Sequence, residues 1–142
     1  AIGPKRVIEK MGLLVSTIVS CVPEFIQAAG VEAINGNQDQ PKFFKEQYEN
    51  RARCLVRGLN LLPGISCEMP KGAIYAFANI TKTGMTSAEF SEFCLENANV
   101  AVTPGHFFGI YGEGFVRFSV VNSIEVIENA LAALNRVLSS ER

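Results

Sequence analysis

Apolar positions along the chain recur first at helical spacing, then at strand spacing, then at helical spacing again. Pro4 suits a helix start, and Val7, Ile8 and Met11 behind it share one face. A second helix is predicted after Ser20 or Pro23 through EFIQAAGVEAI, ending near NGNQDQP, a dense turn signal and the best internal boundary. The third helix is the clearest. Pro41 fits a first turn, and Phe44, Tyr48, Ala52, Leu55, Leu59 and Leu62 recur every three or four residues up to Pro63-Gly64. That stretch amounts to roughly six turns.

The period then drops to two. ISCEM reads as a short strand, and Met69-Pro70-Lys71-Gly72 places proline and glycine as a type I turn wants them. AIYAFANI reads as a strand with Ala73, Tyr75 and Phe77 on one face and Ile74, Ala76 and Ala78 on the other. Apolar residues on both faces predict burial on both sides. Thr86 and Glu89 carry a capping-box signature, with Phe90, Phe93 and Cys94 as a helical stripe behind it. VAVT is a further short strand, followed by a glycine-rich loop and the strand GFVRFSVV. Asn122 with Glu125 predicts the cap of a last helix, whose stripe is Ile124, Ile127, Leu131, Leu134 and Leu138. From Pro41 the order is long helix, two strands, helix, strand, loop, strand, helix. It predicts an α/β unit of the two-layer α+β kind, with helices packed on one side of a small mixed sheet.

Composition narrows the function classes. The chain has 142 residues, 48% of them hydrophobic and 19% charged, enough to bury a core. Its net charge is −1 with both signs scattered, so no basic stripe exists for nucleic acid. The longest apolar run, Gly12 to Val22, is broken by Ser16, Thr17 and Ser20 and is too short and polar for a membrane span. Cys21, Cys54, Cys67 and Cys94 are far apart with no C-x-x-C pair, which argues against a zinc or thioredoxin-like site. An even number leaves disulfides open. With no signal peptide and apolar neighbours, buried reduced thiols in a cytoplasmic protein are the favoured reading.

Candidate chemistry centres on PGHFFGIYGEGFVRFSVVNS, residues 104–123. Phe115, Arg117, Ser119 and Val121 face one way along the strand, and Val116, Phe118 and Val120 the other. Arg117 has two readings. One is an edge-strand cation with its head in water, which discourages sheet pairing. The other is a planar fork for a carboxylate, a match that lysine lacks. Pattern alone favours the first. Gly105, Gly109, Gly112 and Gly114 match neither the dinucleotide fingerprint nor a P-loop, so the loop reads as a connection between strands. His106, the only histidine, has no Ser, Asp or Cys partner at a recognisable spacing and is given no role. Arg51, Arg53 and Arg57 read as a solvated helix face. Lys5, Lys10, Lys42, Lys45, Lys71 and Lys82 all sit in polar settings, unlike an activated amine. By pattern alone the chain lacks an active site and a metal site.

Three stretches nonetheless form a familiar set. KGAIYAFANI resembles the G-A-x-Y-x-F strand, VAVTPGHFFG the V-x-x-x-P-G-x-x-F-G loop, and YGEGFVRFSVVNS the G-x-x-x-x-R-x-S strand of class I/II aminotransferases, the fold-type I enzymes that use pyridoxal phosphate. AIGPKRVIEKM resembles the segment that follows the family's S-K-x-x-x-x-x-G-x-R-x-G stretch, which holds the Schiff-base lysine. The resemblance implies a C-terminal part of such an enzyme. Residues 1–38 would be the last helices of the large cofactor-binding domain, and 39–142 the small domain with its long interdomain helix.

It also implies roles. Arg117 would bind the substrate α-carboxylate, and Tyr75, two strands away, would line the pocket. The Schiff-base lysine and the cofactor-binding residues would lie upstream, so no catalytic or cofactor-binding residue is assigned here, and the chain alone is expected to be inactive. Pyridoxal 5'-phosphate, an amino acid and a 2-oxo acid would be the ligands of the full-length enzyme, a cytoplasmic homodimer. His106 departs from the small residue often found after the Pro-Gly. Two alternatives stay open: a stand-alone α/β ligand-binding or regulatory module, and a lyase or acyltransferase relative with the same cofactor.

Overall fold

A computed structural model describes residues 1–140. The chain divides into two compact units, Ala1–Gln40 and the part from Pro41 onward. In the first, α1 (Lys5–Ile18) starts after Pro4 and α2 (Glu24–Asn35) after Pro23, where a fixed φ and a missing N–H cost nothing. Ser20, at φ 64°, breaks the chain between them. Gln38 closes α2 by donating from Nε2 to the carbonyls of Ala33 and Gly36, at 3.1 and 3.0 Å. No residue of either helix is buried, and Val7, Met11, Leu14 and Ile18 form an exposed apolar stripe on α1.

The second unit begins along the long helix α3 (Asp39–Leu59). Its predicted stripe turns inward only from Ala52 on: Ala52, Leu55 and Leu59 are buried together with Val56, whereas Phe44 is exposed, Tyr48 is half-buried and Leu62 is buried beyond the helix end. After the Pro63-Gly64 turn come β1 (Ser66–Cys67) and β2 (Tyr75–Asn79). Asn60 braces β1 by donating to the Cys67 carbonyl at 2.8 Å and accepting from its N–H at 2.9 Å. Then follow α4 (Ser87–Ala98), β3 (Thr103–Pro104), two short 3₁₀ turns (Gly105–Phe108 and Ile110–Gly112), β4 (Phe115–Ser119) and α5 (Ile124–Ser140). The expected capping box is present at α4: Thr86 Oγ1 accepts from the Glu89 N–H, and Glu89 accepts in return from the Thr86 N–H at 2.8 Å. At α5 the cap is Ser123 rather than Asn122. Its hydroxyl accepts from the Val126 N–H at 3.4 Å, because the helix starts one residue later than the pattern suggested.

The sheet runs β1-β2-β4-β3, and every pairing is antiparallel. The expected mixed sheet fails for a topological reason. Strands β2 and β3, joined through α4, run parallel, but β4 lies between them and opposes both. One face is sealed by Ala76, Ala78, Val116 and Phe118 against Leu55, Leu59, Phe90, Cys94, Ile127 and Leu134 of the helices. Phe90 is fully buried, worth about 1.5–3 kcal/mol in apolar burial. The other face is open. Tyr75 is 39% and Phe77 41% exposed, so β2 is buried on one side and not on both. The strand alternates as its pattern predicts, with the aromatic side open and the alanine side buried.

Among the described residues no helix is long and apolar enough to cross a membrane. Cys67 and Cys94 are buried free thiols as expected, whereas Cys21 is exposed. Arg51 also departs from a purely solvated reading: it donates to the Val121 carbonyl at 2.7 Å, and its Cζ lies 5.5 Å from the Tyr48 ring.

Candidate active site

Arg117 sits in the middle of β4, an interior strand, with Phe77 opposite it on β2 and Thr103 opposite it on β3. The edge-strand reading is therefore excluded. Alternation along β4 buries Val116 and Phe118 and sends Phe115, Arg117 and Ser119 to the open face. Arg117 is half-buried there.

Aromatic rings surround the guanidinium. Cζ lies 4.1 Å from the Tyr75 ring centre and 4.9 Å from that of Phe108. Tyr75 is on the adjacent strand, its Cα paired with Ser119, rather than two strands away. Phe77 stacks on Phe115 at 5.2 Å, nearly parallel, and meets Phe108 edge-on at 6.0 Å. Four rings thus form an apolar shelf around one cation. Nη2 donates to Thr103 Oγ1 at 3.3 Å, a long bond. Among the described residues no carboxylate pairs with Arg117. Ring contacts stabilise a guanidinium through the ring quadrupole and leave most of its five N–H donors uncommitted. The site therefore holds a half-buried cation, rich in donors and flanked by apolar walls.

The loop from Gly105 to Gly114 delivers Phe108 to this face. It folds back on itself so tightly that a Cβ on Gly105 would strike the carbonyl oxygens of Gly112 and Phe115. The close approach is thus used up by the chain's own backbone and is not a cradle for a phosphate.

A second polar cluster lies at the base of the loop. Ser87, fully buried in the first turn of α4, meets Glu113 twice: its N–H donates to Oε1 and its hydroxyl to Oε2, both at 2.7 Å. Ser87 Oγ is also 2.8 Å from His106 Nδ1. These bonds, with a third from the Gly114 N–H, hold the Glu113 carboxyl below the usual carboxylate range; the Ser87 N–H is the largest cause. The α4 N-terminus supplies a favourable field for that charge. His106 thus has partners that the sequence did not reveal, 19 residues away at Ser87 and across the loop at Glu113. The only local signal was Ser87's place behind the Thr86 cap.

All six lysines are exposed, and none is among the residues that touch Arg117. Elsewhere, burial pushes the Cys94 thiol up to about 12, which makes it inert.

Known proteins match both the sequence and the fold. The family model for aminotransferase class I and II matches residues 1–134. An aspartate aminotransferase of Pyrococcus horikoshii is 38% identical over 99% of this chain and 37% of its own length. An LL-diaminopimelate aminotransferase of Moorella thermoacetica is 38% identical over 97% of this chain and 35% of its own. A crystal structure of an aromatic aminotransferase from P. horikoshii superposes with a TM-score of 0.88 at 35% identity, covering 98% of this chain and 38% of that one. The chain spans little more than a third of the length of these relatives. A likeness that runs through both units and the Arg117 face alike leaves one assignment: the chain belongs to the class I and II aminotransferases.

Proposed function

We propose that this chain is the carboxylate-binding part of a pyridoxal-phosphate-dependent aminotransferase, which moves an amino group between an amino acid and a 2-oxo acid. Arg117 takes the α-carboxylate of either substrate, and Tyr75 lines the pocket beside it. The observation that carries the reading is the half-buried guanidinium on an open face, held by ring contacts and without a carboxylate partner among the described residues. A planar fork of this kind accepts a carboxylate through two parallel hydrogen bonds, which fixes orientation as well as position. Orientation is the contribution to rate. A substrate clamped at its acid end presents its Cα–H bond at a set angle.

Pyridoxal phosphate does not fit the residues of this chain alone. The aldehyde has no amine in contact with Arg117 to bond, since all six lysines are exposed and none is among the residues that touch the guanidinium. The one close backbone turn is filled by its own carbonyls. In this reading the Schiff-base lysine belongs to the remainder of the enzyme, which works as a homodimer, and the 142-residue chain by itself transfers nothing.

The test is steady-state kinetics of the longer enzyme with Arg117→Ala. Loss of a buried charge partner costs about 2–5 kcal/mol. That is a fall of about 30- to 5,000-fold in kcat/KM, carried mainly by KM for both the amino acid and the 2-oxo acid. Unchanged constants for both substrates would remove Arg117 from the site. A specific lysine adduct of pyridoxal phosphate on the 142-residue chain alone, after reduction and mass spectrometry, would refute the assignment of the reactive amine elsewhere.

A further inference from the structure

His106, Ser87 and Glu113 play no part in the carboxylate reading, yet they form the most tightly bonded polar group near the Arg117 face. Ser87 is fully buried, so its polar atoms need partners within the protein. A carboxylate only accepts, so the hydroxyl proton of Ser87 is committed to Glu113 Oε2. The 2.8 Å contact between Ser87 Oγ and His106 Nδ1 then needs its proton on Nδ1. The His106 backbone N–H also donates to Ser87 Oγ, at 3.4 Å.

We infer that His106, Ser87 and Glu113 are positioning residues: a one-directional chain from Nδ1–H to Oγ–H to carboxylate pins both shoulders of the glycine loop to α4 and so holds Phe108 against the Arg117 guanidinium. Phe108 lies two residues beyond His106 in the same 3₁₀ turn, and the loop returns to β4 just after Glu113. The pin is not a pH switch. A second proton on His106 goes to Nε2, leaves Nδ1–H in place, and puts a cation 3.9 Å from Glu113 Oε2. Glu89, the other carboxylate that senses Glu113, is engaged with Thr86 in the capping box. The ring position stands independently of substrate. Its benefit to substrate binding rests on the reading of Arg117 as a carboxylate anchor.

The experiment is NMR on the 142-residue chain with labelled histidine and arginine. Imidazole ¹⁵N shifts of the neutral ring should show the Nδ1–H tautomer. In Glu113→Gln the amide oxygen keeps the Ser87 N–H while the amide N–H occupies Oγ, so the serine hydroxyl turns to His106 and the tautomer flips to Nε2–H. In His106→Ala the cross-peaks between the Phe108 ring and the Arg117 side chain should be lost. His106→Asn, whose amide N–H replaces Nδ1–H, should restore them. An Nε2–H tautomer in the parent, an unchanged tautomer in Glu113→Gln, or full Phe108–Arg117 cross-peaks in His106→Ala would each overturn the inference. Intact cross-peaks in the parent together with unaltered substrate kinetics in Arg117→Ala would sink the anchor reading and leave the pin standing.

Discussion

Replacing Arg117 by Met separates a ligand anchor from a structural cation. The variant keeps a long unbranched stem on β4 and deletes only the guanidinium. The deletion removes two ring contacts, at 4.1 Å to Tyr75 and 4.9 Å to Phe108. At a half-buried position these are worth about 0.5–1 kcal/mol each, together about 1–2 kcal/mol. The 3.3 Å bond to Thr103 adds about 0.5 kcal/mol at most. Against these losses, a Met sulfur near the same rings returns about 0.3–1.5 kcal/mol. The variant is also freed from desolvating a charge that has no carboxylate partner among the described residues. The net expectation is a loss of about 1 kcal/mol or less.

Urea unfolding of the 142-residue chain measures this directly. The midpoint should shift slightly at constant slope, since the surface exposed on unfolding hardly changes. The same substitution in the longer enzyme should cost the about 2–5 kcal/mol expected of a lost carboxylate anchor. The difference between the two losses is the argument: an anchor is worth more to its ligand than to its fold. A stability loss of about 3 kcal/mol or more, of the size found when a buried ion pair is broken, would mean that Arg117 holds the sheet together, and the reasoning would fail.

Three further outcomes follow from the geometry. Gly105→Ala should destabilise the chain by about 3 kcal/mol, the upper end of overpacking, because the new Cβ meets backbone carbonyls that cannot rotate away; an unchanged urea midpoint would contradict the loop geometry. At pH 8 a thiol reagent should label Cys21 at once and Cys94 only on unfolding, since Cys21 is exposed while the Cys94 thiol is buried and pushed up to about 12; mass spectrometry of the labelled sites reads the order, and early labelling of Cys94 would contradict its burial. The Glu113 carboxyl is held low in the folded state, so its contribution is full above the ordinary unfolded value, about 4.3, and is lost as pH falls through and below it. Glu113→Gln should therefore flatten the fall of the urea midpoint in that acid window and not at neutral pH, with Glu49 and Glu89, also held low, supplying the slope that remains.

Local rules made part of this legible. The capping box at Thr86 and Glu89, the Ala52, Leu55 and Leu59 part of the α3 stripe and the shared face of Phe115, Arg117 and Ser119 depend on neighbours within four residues, and the structure has all three. What the pattern did not carry was pairing between distant segments. Arg117 looked like an edge residue because the sequence shows which way a strand alternates and not which strands flank it. Only the insertion of β4 between β2 and β3 makes it central. Tyr75 and Phe77 looked buried because their strand carries apolar residues on both faces. In fact Ala76 and Ala78 face the helices, and the rings stay on the open side.

These misreadings share a cause that bears on function. In a protein whose every apolar residue served the core, the larger side chains of β2 would face inward. Here four rings line the open face, gathered from β2, β4 and the loop, around the one cation that the four described strands carry. Leaving Phe77 and Phe108 partly exposed forgoes burial worth about 25 cal/mol per Å² of apolar surface. In the proposed reading of Arg117 as a carboxylate anchor, a ligand with an acid end and an apolar body would cover the rings as it pairs with the guanidinium. The His106 cluster stayed hidden for the same reason as the neighbours of Arg117: His106 and Glu113 lie 19 and 26 residues from Ser87 and meet it only through the tertiary fold.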